Sequence, residues 1–352
     1  MAGTTHHVSV DLTKCLAEEP GTGHNRWHEA IPPLVTVDPG DTVVLQTRDG
    51  FDGRLGPDST DADVAAVSTA RIHPHTGPVA VRGAEPGDLL EVRVQKIRCA
   101  RWGFTAQVPG FGFLRDFFPE PHMTSWDIAG GYATSPQLPG VRIAGAPFMD
   151  SLGGAVDRAA RAPGGPGGRA ARAWCAVMAP LADSAVPADP RIAAEGLRTI
   201  PPRETGGNLD VKQLTAGTTL QGDGEVCGTA IEVAATFTAE LHLRKGEATR
   251  RQVRSPQFFR DTPEPAVFAP PPRYYATTGL PLHTDGRNES EDASLAAVDA
   301  LGQMIDYLMV EWGYTRQQAY AICSVAVDLK VSEAVDVPNV VVSAFLPLDI
   351  FV

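Results

Sequence analysis

Ile31-Pro-Pro-Leu-Val-Thr-Val-Asp-Pro-Gly-Asp-Thr-Val-Val-Leu45 consists of two β-branched runs on either side of a turn. Pro39 presets φ and Gly40 supplies the positive φ of a type II turn, so the stretch predicts a β-hairpin. The chemistry returns between Pro78 and Ile97, where Val79-Ala80-Val81 and Leu89 to Val94 flank Glu85-Pro86-Gly87-Asp88. These two strand, Pro-Gly-Asp, strand units read as two ordinary hairpins sharing one turn type. A first half built this way is β-rich. Gly (35) and Pro (30) are in excess in the 352 residues, and the excess belongs to turns between many short strands.

Further along, Gly224 to Leu243 predicts another strand pair, and Phe258 to Tyr275, rich in Pro and aromatics, an ordered loop layer. The helical signal comes late. Leu295, Val298, Leu301, Ile305, Leu308 and Trp312 recur at spacings of three and four, behind Glu289, Glu291 and Asp292, which favour the positive end of a helix. Thr315-Arg316-Gln317-Gln318 is a capping box opening a second helix, and Val340 to Leu346 returns to strand. The fold expected is mostly β, sandwich- or barrel-like, with a C-terminal α-helical pair, α+β overall. Its parts would be a β-rich N-terminal region over 1–149, an Ala/Gly/Pro-rich linker or loop over 150–190, and a C-terminal region over 191–352 with helices near 292–312 and 315–326. Together they would form one compact unit.

A formal charge of −12 argues against nucleic acid and anionic membrane as partners, because both need a basic face. The N-terminal residues carry no apolar leader, and no run approaches the roughly 18 apolar residues of a membrane span. The five cysteines are odd in number and scattered, without CxxC spacing, as in a reduced, cytoplasmic protein. Gly-x-Ser-x-Gly, the Gly-Lys phosphate loop and His-Glu-x-x-His are absent, which sets aside the commonest serine-hydrolase, nucleotide and zincin chemistries.

Three polar clusters remain. In Gly23-His24-Asn25-Arg26-Trp27-His28 two imidazoles stand four apart, a spacing that would share a helix face, yet the neighbouring prolines and glycines disfavour a helix. In Pro201-Pro202-Arg203-Glu204-Thr205-Gly206-Gly207-Asn208-Leu209-Asp210 paired glycines let backbone come close to something, while Glu204, Asn208 and Asp210 offer oxygen ligands or a general base. In Gln221 to Glu232, strand alternation would put Cys227, Thr229 and Ile231 on the face of Glu225 and leave Glu232 on the other, with Cys227 a small buried residue. His73-Pro74-His75-Thr76 reads as turn structure.

Taken in order, these stretches resemble the acetamidase/formamidase family. The likeness is carried by His24 to His28, Thr76-Gly77-Pro78 to Asp88, Trp102-Gly103-Phe104-Thr105, Arg198 to Glu204, Gly206 to Asp210, Gln221 to Glu225, Ile305-Asp306-Tyr307-Leu308 and Val337-Pro338-Asn339, and it covers nearly the whole chain. The resemblance implies hydrolysis of the C–N bond of a small linear amide to carboxylate and ammonia, a divalent metal, with zinc expected, and a homo-oligomer. On that basis His24, His28 and Asp210 are the expected metal ligands, and the two histidines could equally act as oxyanion donors. Glu204 or Glu225 is the expected general base and then acid, and Asn208 and Trp27 would contact the substrate. The chain passes directly from Leu220 to Gln221, where the family pattern has a Gly-Asp-x-His segment. The alternative expectation is therefore a catalytically impaired member with a binding or assembly role.

Overall fold

The computed structural model describes residues 3–149, 151–153, 182–203, 206–211, 215–216, 225–260, 271, 273–283 and 285–352. Most of the expected 150–190 linker, most of the Pro-rich 258–275 stretch, and Glu204 lie outside the described residues. The first half of the chain forms β1 (Thr5–Val8), β2 (Gly23–His24), β3 (Arg26–Trp27), β4 (Val35–Val37), β5 (Thr42–Thr47), helix α1 (Asp61–Ala66), β6 (His75–Thr76), β7 (Val79–Val81) and β8 (Leu89–Cys99). It continues with β9 (Trp102–Gln107), β10 (His122–Ala129), β11 (Tyr132–Thr134), β12 (Arg142–Ala144) and β13 (Ser151–Gly153). The second half contributes α2 (Pro190–Glu195), β14 (Leu197–Arg198), β15 (Pro202–Arg203), β16 (Gly206–Asn208), β17 (Ala235–Arg244), α3 (Glu247–Arg250) and β18 (Tyr274–Gly279). Then come α4 (Ala293–Trp312), α5 (Arg316–Ala326), β19 (Asp328–Glu333) and β20 (Val341–Pro347). The fold is strand-rich with a C-terminal helical pair, as the sequence indicates.

Both Pro-Gly turns form, but neither makes a hairpin. Gly40 has φ +96° and Gly87 +95°; Asp41 N–H donates to Asp38 O at 3.0 Å and Asp88 N–H to Glu85 O at 3.1 Å. In each turn the aspartate side chain also accepts from the first amide, Asp38 N at 2.9 Å and Glu85 N at 2.9 Å. The strands then part company. β4 pairs in parallel with β7, while β5 and β8 lie on either side of β17 in a sheet ordered β1-β5-β17-β8. The two sequence units thus come together as units: first strand beside first strand, second strands flanking a third from the other half of the chain. The reason is burial. β17 pairs along its whole length with β8, and its Phe237, Ala239 and Leu241 close a core with Val37, Val43 and Val94. The three-residue arm β4 gives β5 far less ladder and apolar area than that. Asp41 further ties its turn to β1, accepting from Thr4 N at 2.7 Å and lying 2.9 Å from His6 Nε2.

A second sheet, β12-β11-β10-β9, is an antiparallel meander, and β18-β20-β19 lies beneath the helices. Gly224 to Leu243 is not a strand pair: residues 225–234 are loop, closed by Gly228 N–H to Glu225 O at 2.7 Å, and only β17 is strand. This turn removes the alternation expected from Glu225 onward, although Cys227 is fully buried as expected, its amide donating to Ser324 Oγ at 3.1 Å.

The helical pair matches its sequence signals. Asp292 caps α4, accepting from Ser294 N at 2.9 Å and Leu295 N at 3.0 Å, and Thr315 caps α5 through a reciprocal bond with Gln318. By length and composition alone α4 could cross a membrane, but its inner face (Ala300, Leu301, Met304, Ile305, Leu308) is fully buried against α5 and the β18–β20 layer. The pair bears directly on the loop behind the site, because Tyr320 Oη donates to Val226 O and accepts from Leu114 N at 2.9 Å.

Asp292→Ala and Thr315→Ala should each destabilise by about 1 kcal/mol. Because the caps sit at opposite ends of a helix about 30 Å long, the double variant should lose the sum. Urea unfolding of the two single variants and the double variant checks this.

Candidate active site

The histidine segment is extended, as its flanking prolines and glycines suggest: β2 and β3 are two-residue strands with Asn25 between them. β2 pairs with β6, which sets His24 opposite His75. Their rings stack at 5.6 Å with 19° between planes, and the Trp27 indole stands edge-on to both, 5.4 Å from His24 and 4.7 Å from His75. β3 is held by β14, with Trp27 opposite Leu197.

The other side of this cluster is the Gly-Gly strand. β16 pairs with β13 so that Ser151 faces Asn208, Leu152 faces Gly207 and Gly153 faces Gly206. What the glycines approach is therefore β13 and the indole. A Cβ on Gly153 would sit 2.9 Å from Trp27 Cη2 and 2.7 Å from Gly207 N. Without side chains there, the backbone forms a slot for the ring. Ser151 Oγ lies 2.8 Å from His75 Nε2.

Burial sets the electrostatics. It pulls the His24 imidazole down to about 4. His75 is held well below its ordinary range, first by burial and then by the nearby His24 and His73. Both rings are therefore neutral near pH 7. Three buried polar atoms at this cluster have no hydrogen-bond partner: His24 Nδ1, Trp27 Nε1 and Asn208 Oδ1. The Asn208 amide is oriented by Asp210, whose Oδ2 accepts from Nδ2 at 3.2 Å and so leaves Oδ1 as the open acceptor.

His24, Trp27, His75, Ser151, Glu225 and Glu232 all line one cavity of about 1500 Å³. Of the site residues expected from sequence, His24, His28, Trp27 and Glu225 line this cavity, while Asn208 and Asp210 are not among its lining residues; Asn208 stands opposite Ser151 on the neighbouring strand. The ring stacked on His24 is His75. His28, although lining the same cavity, has both nitrogens engaged: Nδ1 accepts from Ala30 N at 3.0 Å and Nε2 lies 3.3 Å from Glu195 Oε2.

From sequence, His75 reads as turn structure and Glu232 as lying on the face away from Glu225, and Ser151 is not singled out. His73-Pro74-His75 carried the signal for the first of these, an imidazole pair next to a Pro, but its pairing with β2 spans a long stretch of chain. Glu232 bridges to Phe104 at the edge of the meander, and its carboxylate lies against Gly50, whose carbonyl accepts from His73 N at 2.6 Å. Among the described residues, no three His, Cys, Asp or Glu side chains gather as a metal-ligand group. Two neutral imidazoles side by side fit two positions of a zinc-type site and leave the remaining positions to other groups.

The strand-rich scaffold is shared with proteins of solved structure. The gamma lactamase from Delftia acidovorans superposes with a TM-score of 0.87 at 30% identity, covering 98% of this chain and 93% of the other. An acetamidase from Bacillus halodurans shares the fold at a TM-score of 0.53 and 23% identity, over 93% and 96% of the two chains. At the sequence level, a formamidase of Methylophilus methylotrophus is 32% identical over 98% of this chain and 93% of its own. An acetamidase of Mycolicibacterium smegmatis is 33% identical over 89% and 88%. The Acetamidase/Formamidase family model matches residues 9–220 and 219–352, and the chain belongs to that family.

The neutral imidazoles make the protein acid-sensitive. Between about pH 4 and 6.5 the unfolded chain binds protons at His24 that the folded chain does not. Stability is therefore fully present above pH 6.5 and falls as pH drops toward 4. Urea midpoints at about pH 7 and about pH 5 should show this loss, and His24→Gln should reduce the difference between them.

Proposed function

We propose that this protein hydrolyses the C–N bond of a small linear amide, of formamide or acetamide type, to carboxylate and ammonia. The observation that supports this most directly is the set of unpartnered buried atoms beside the stacked imidazoles. A primary amide carries one carbonyl acceptor and an N–H₂ donor. In this reading Trp27 Nε1–H donates to the carbonyl oxygen and Asn208 Oδ1 accepts from the amide N–H. Each bond relieves the cost of a buried polar group left unmade. The glycine slot holds the indole rigid, so the carbonyl is fixed against the imidazole pair.

Amide hydrolysis also needs a water made nucleophilic and an acid for the departing nitrogen. Glu225, on the cavity wall, is assigned the proton from water and its return to the leaving amine, with Glu204 as the other candidate. We assign a divalent ion, zinc by expectation, to His24 and His75; Asp210, the further ligand expected from the resemblance, does not gather with them, so the remaining positions would fall to other groups. Such an ion would supply Lewis-acid polarisation of the carbonyl. The residues described above do the binding and the orienting.

A second reading keeps the fold and pocket for binding or assembly alone. It is supported by the division of the family match into two stretches, 9–220 and 219–352, which meet at the place where the resemblance leads one to expect a Gly-Asp-x-His segment. Ammonia release from formamide, acetamide and a small lactam, with metal content measured on the same sample, separates the two. Metal-dependent release is the expected result. A folded protein that binds amide without releasing ammonia would establish the second reading instead. Glu225→Gln should lower turnover by about 10²–10⁴-fold with an unchanged melting temperature, and full turnover in that variant would remove Glu225 from the mechanism.

A further inference from the structure

We propose that Ser151 is a positioning residue whose hydroxyl selects one orientation of the His75 ring and so fixes the imidazole pair of the active site; the proposal rests on the amidohydrolase reading above. His75 is contacted by two rings that also contact each other. His24 stacks on its face at 5.6 Å and Trp27 meets it at 4.7 Å with 71° between planes. Such contacts define the ring plane but are nearly indifferent to a half-turn about the Cβ–Cγ bond, which leaves the plane in place while exchanging nitrogens for carbons. The hydrogen bond between Ser151 Oγ and Nε2, 2.8 Å long, is the interaction that distinguishes the two edges. It commits Nε2 to the protein and leaves Nδ1 as the nitrogen that serves the site.

The placement of Ser151 is itself over-determined. β13 is three residues long, and its register is set by Leu152 against Gly207 and Gly153 against Gly206. The Gly153 backbone is pressed against Trp27, and Asn208, opposite Ser151, is tied to Asp210. One short strand therefore connects the amide-binding atoms to the orientation of His75. A Ser–His relay of the nucleophilic kind would need a third group to orient the base. Among the described residues, no hydrogen bond joins a carboxylate to His75, and the serine takes the orienting place.

The test compares wild type, Ser151→Ala and Ser151→Thr by steady-state kinetics on formamide and by ¹³C/¹⁵N spectra of histidine-labelled protein. Removing the partner of a site histidine is expected to lower kcat by about 10–100-fold while KM moves little. The threonine variant, which keeps the hydroxyl, should recover most of that loss. The His75 ring signals should form one set in wild type and the threonine variant, and a second or averaged set in the alanine variant. Wild-type kcat together with a single set of ring signals in Ser151→Ala would overturn the proposal. So would an acyl adduct trapped on Ser151 and found by mass spectrometry, since the hydroxyl would then be the nucleophile. If wild type releases no ammonia, the amidase reading fails, yet the ring spectra still decide whether Ser151 sets His75.

Discussion

The pairing of β17 with β5 on one side and β8 on the other is the interaction from which the rest of the structure follows. This strand comes from the second half of the chain and enters between two strands of the first, burying Phe237, Ala239 and Leu241 in the core they share. Once β5 and β8 are spoken for, their partners across the Pro-Gly turns, β4 and β7, are left to pair with one another. Those strands lie beside the segments that carry His24 and His75. Long-range sheet pairing thus fixes the local geometry of the histidines.

The site is built from very short pieces of strand. β2, β3 and β6 are two residues each and could not persist alone. They hold because β2 pairs with β6, β3 with β14, and the Trp27 indole fills the space that Gly153 leaves open. This economy has an electrostatic effect. A polar cluster enclosed by apolar and aromatic groups keeps its imidazoles neutral, and neutral imidazoles are what ligation and proton transfer near pH 7 require. The same enclosure leaves Trp27 Nε1 and Asn208 Oδ1 without partners, and so strengthens any bond they make to a ligand.

The sequence was most legible where a residue's role is decided by its near neighbours. The Asp292 cap, the capping box at Thr315, the three- and four-residue spacing of Leu301, Ile305 and Leu308, and both Pro-Gly turns appear where the sequence places them, because each depends on contacts within a few residues. Family membership was legible too, through collinear motifs spread over the chain. The partner of His24 was not. The i, i+4 spacing pointed to His28, yet His28 Nε2 faces Glu195 while His75 arrives by cross-strand pairing. Ser151 carried no local signal, and Glu232 only its place at the end of the Gln221 to Glu232 cluster, since their positions depend on Asn208 and on Phe104 respectively.

By itself the sequence determined the strand-rich class, the helical pair, the turns and the list of residue types available for amide chemistry. It did so because turn propensity, capping and helical periodicity act over a few residues. Only the tertiary structure decided which strands pair and therefore which side chains meet. Pairing is chosen by the apolar area and ladder length that distant segments offer one another, and a strand such as β5 takes the partner that buries most, wherever in the chain that partner lies.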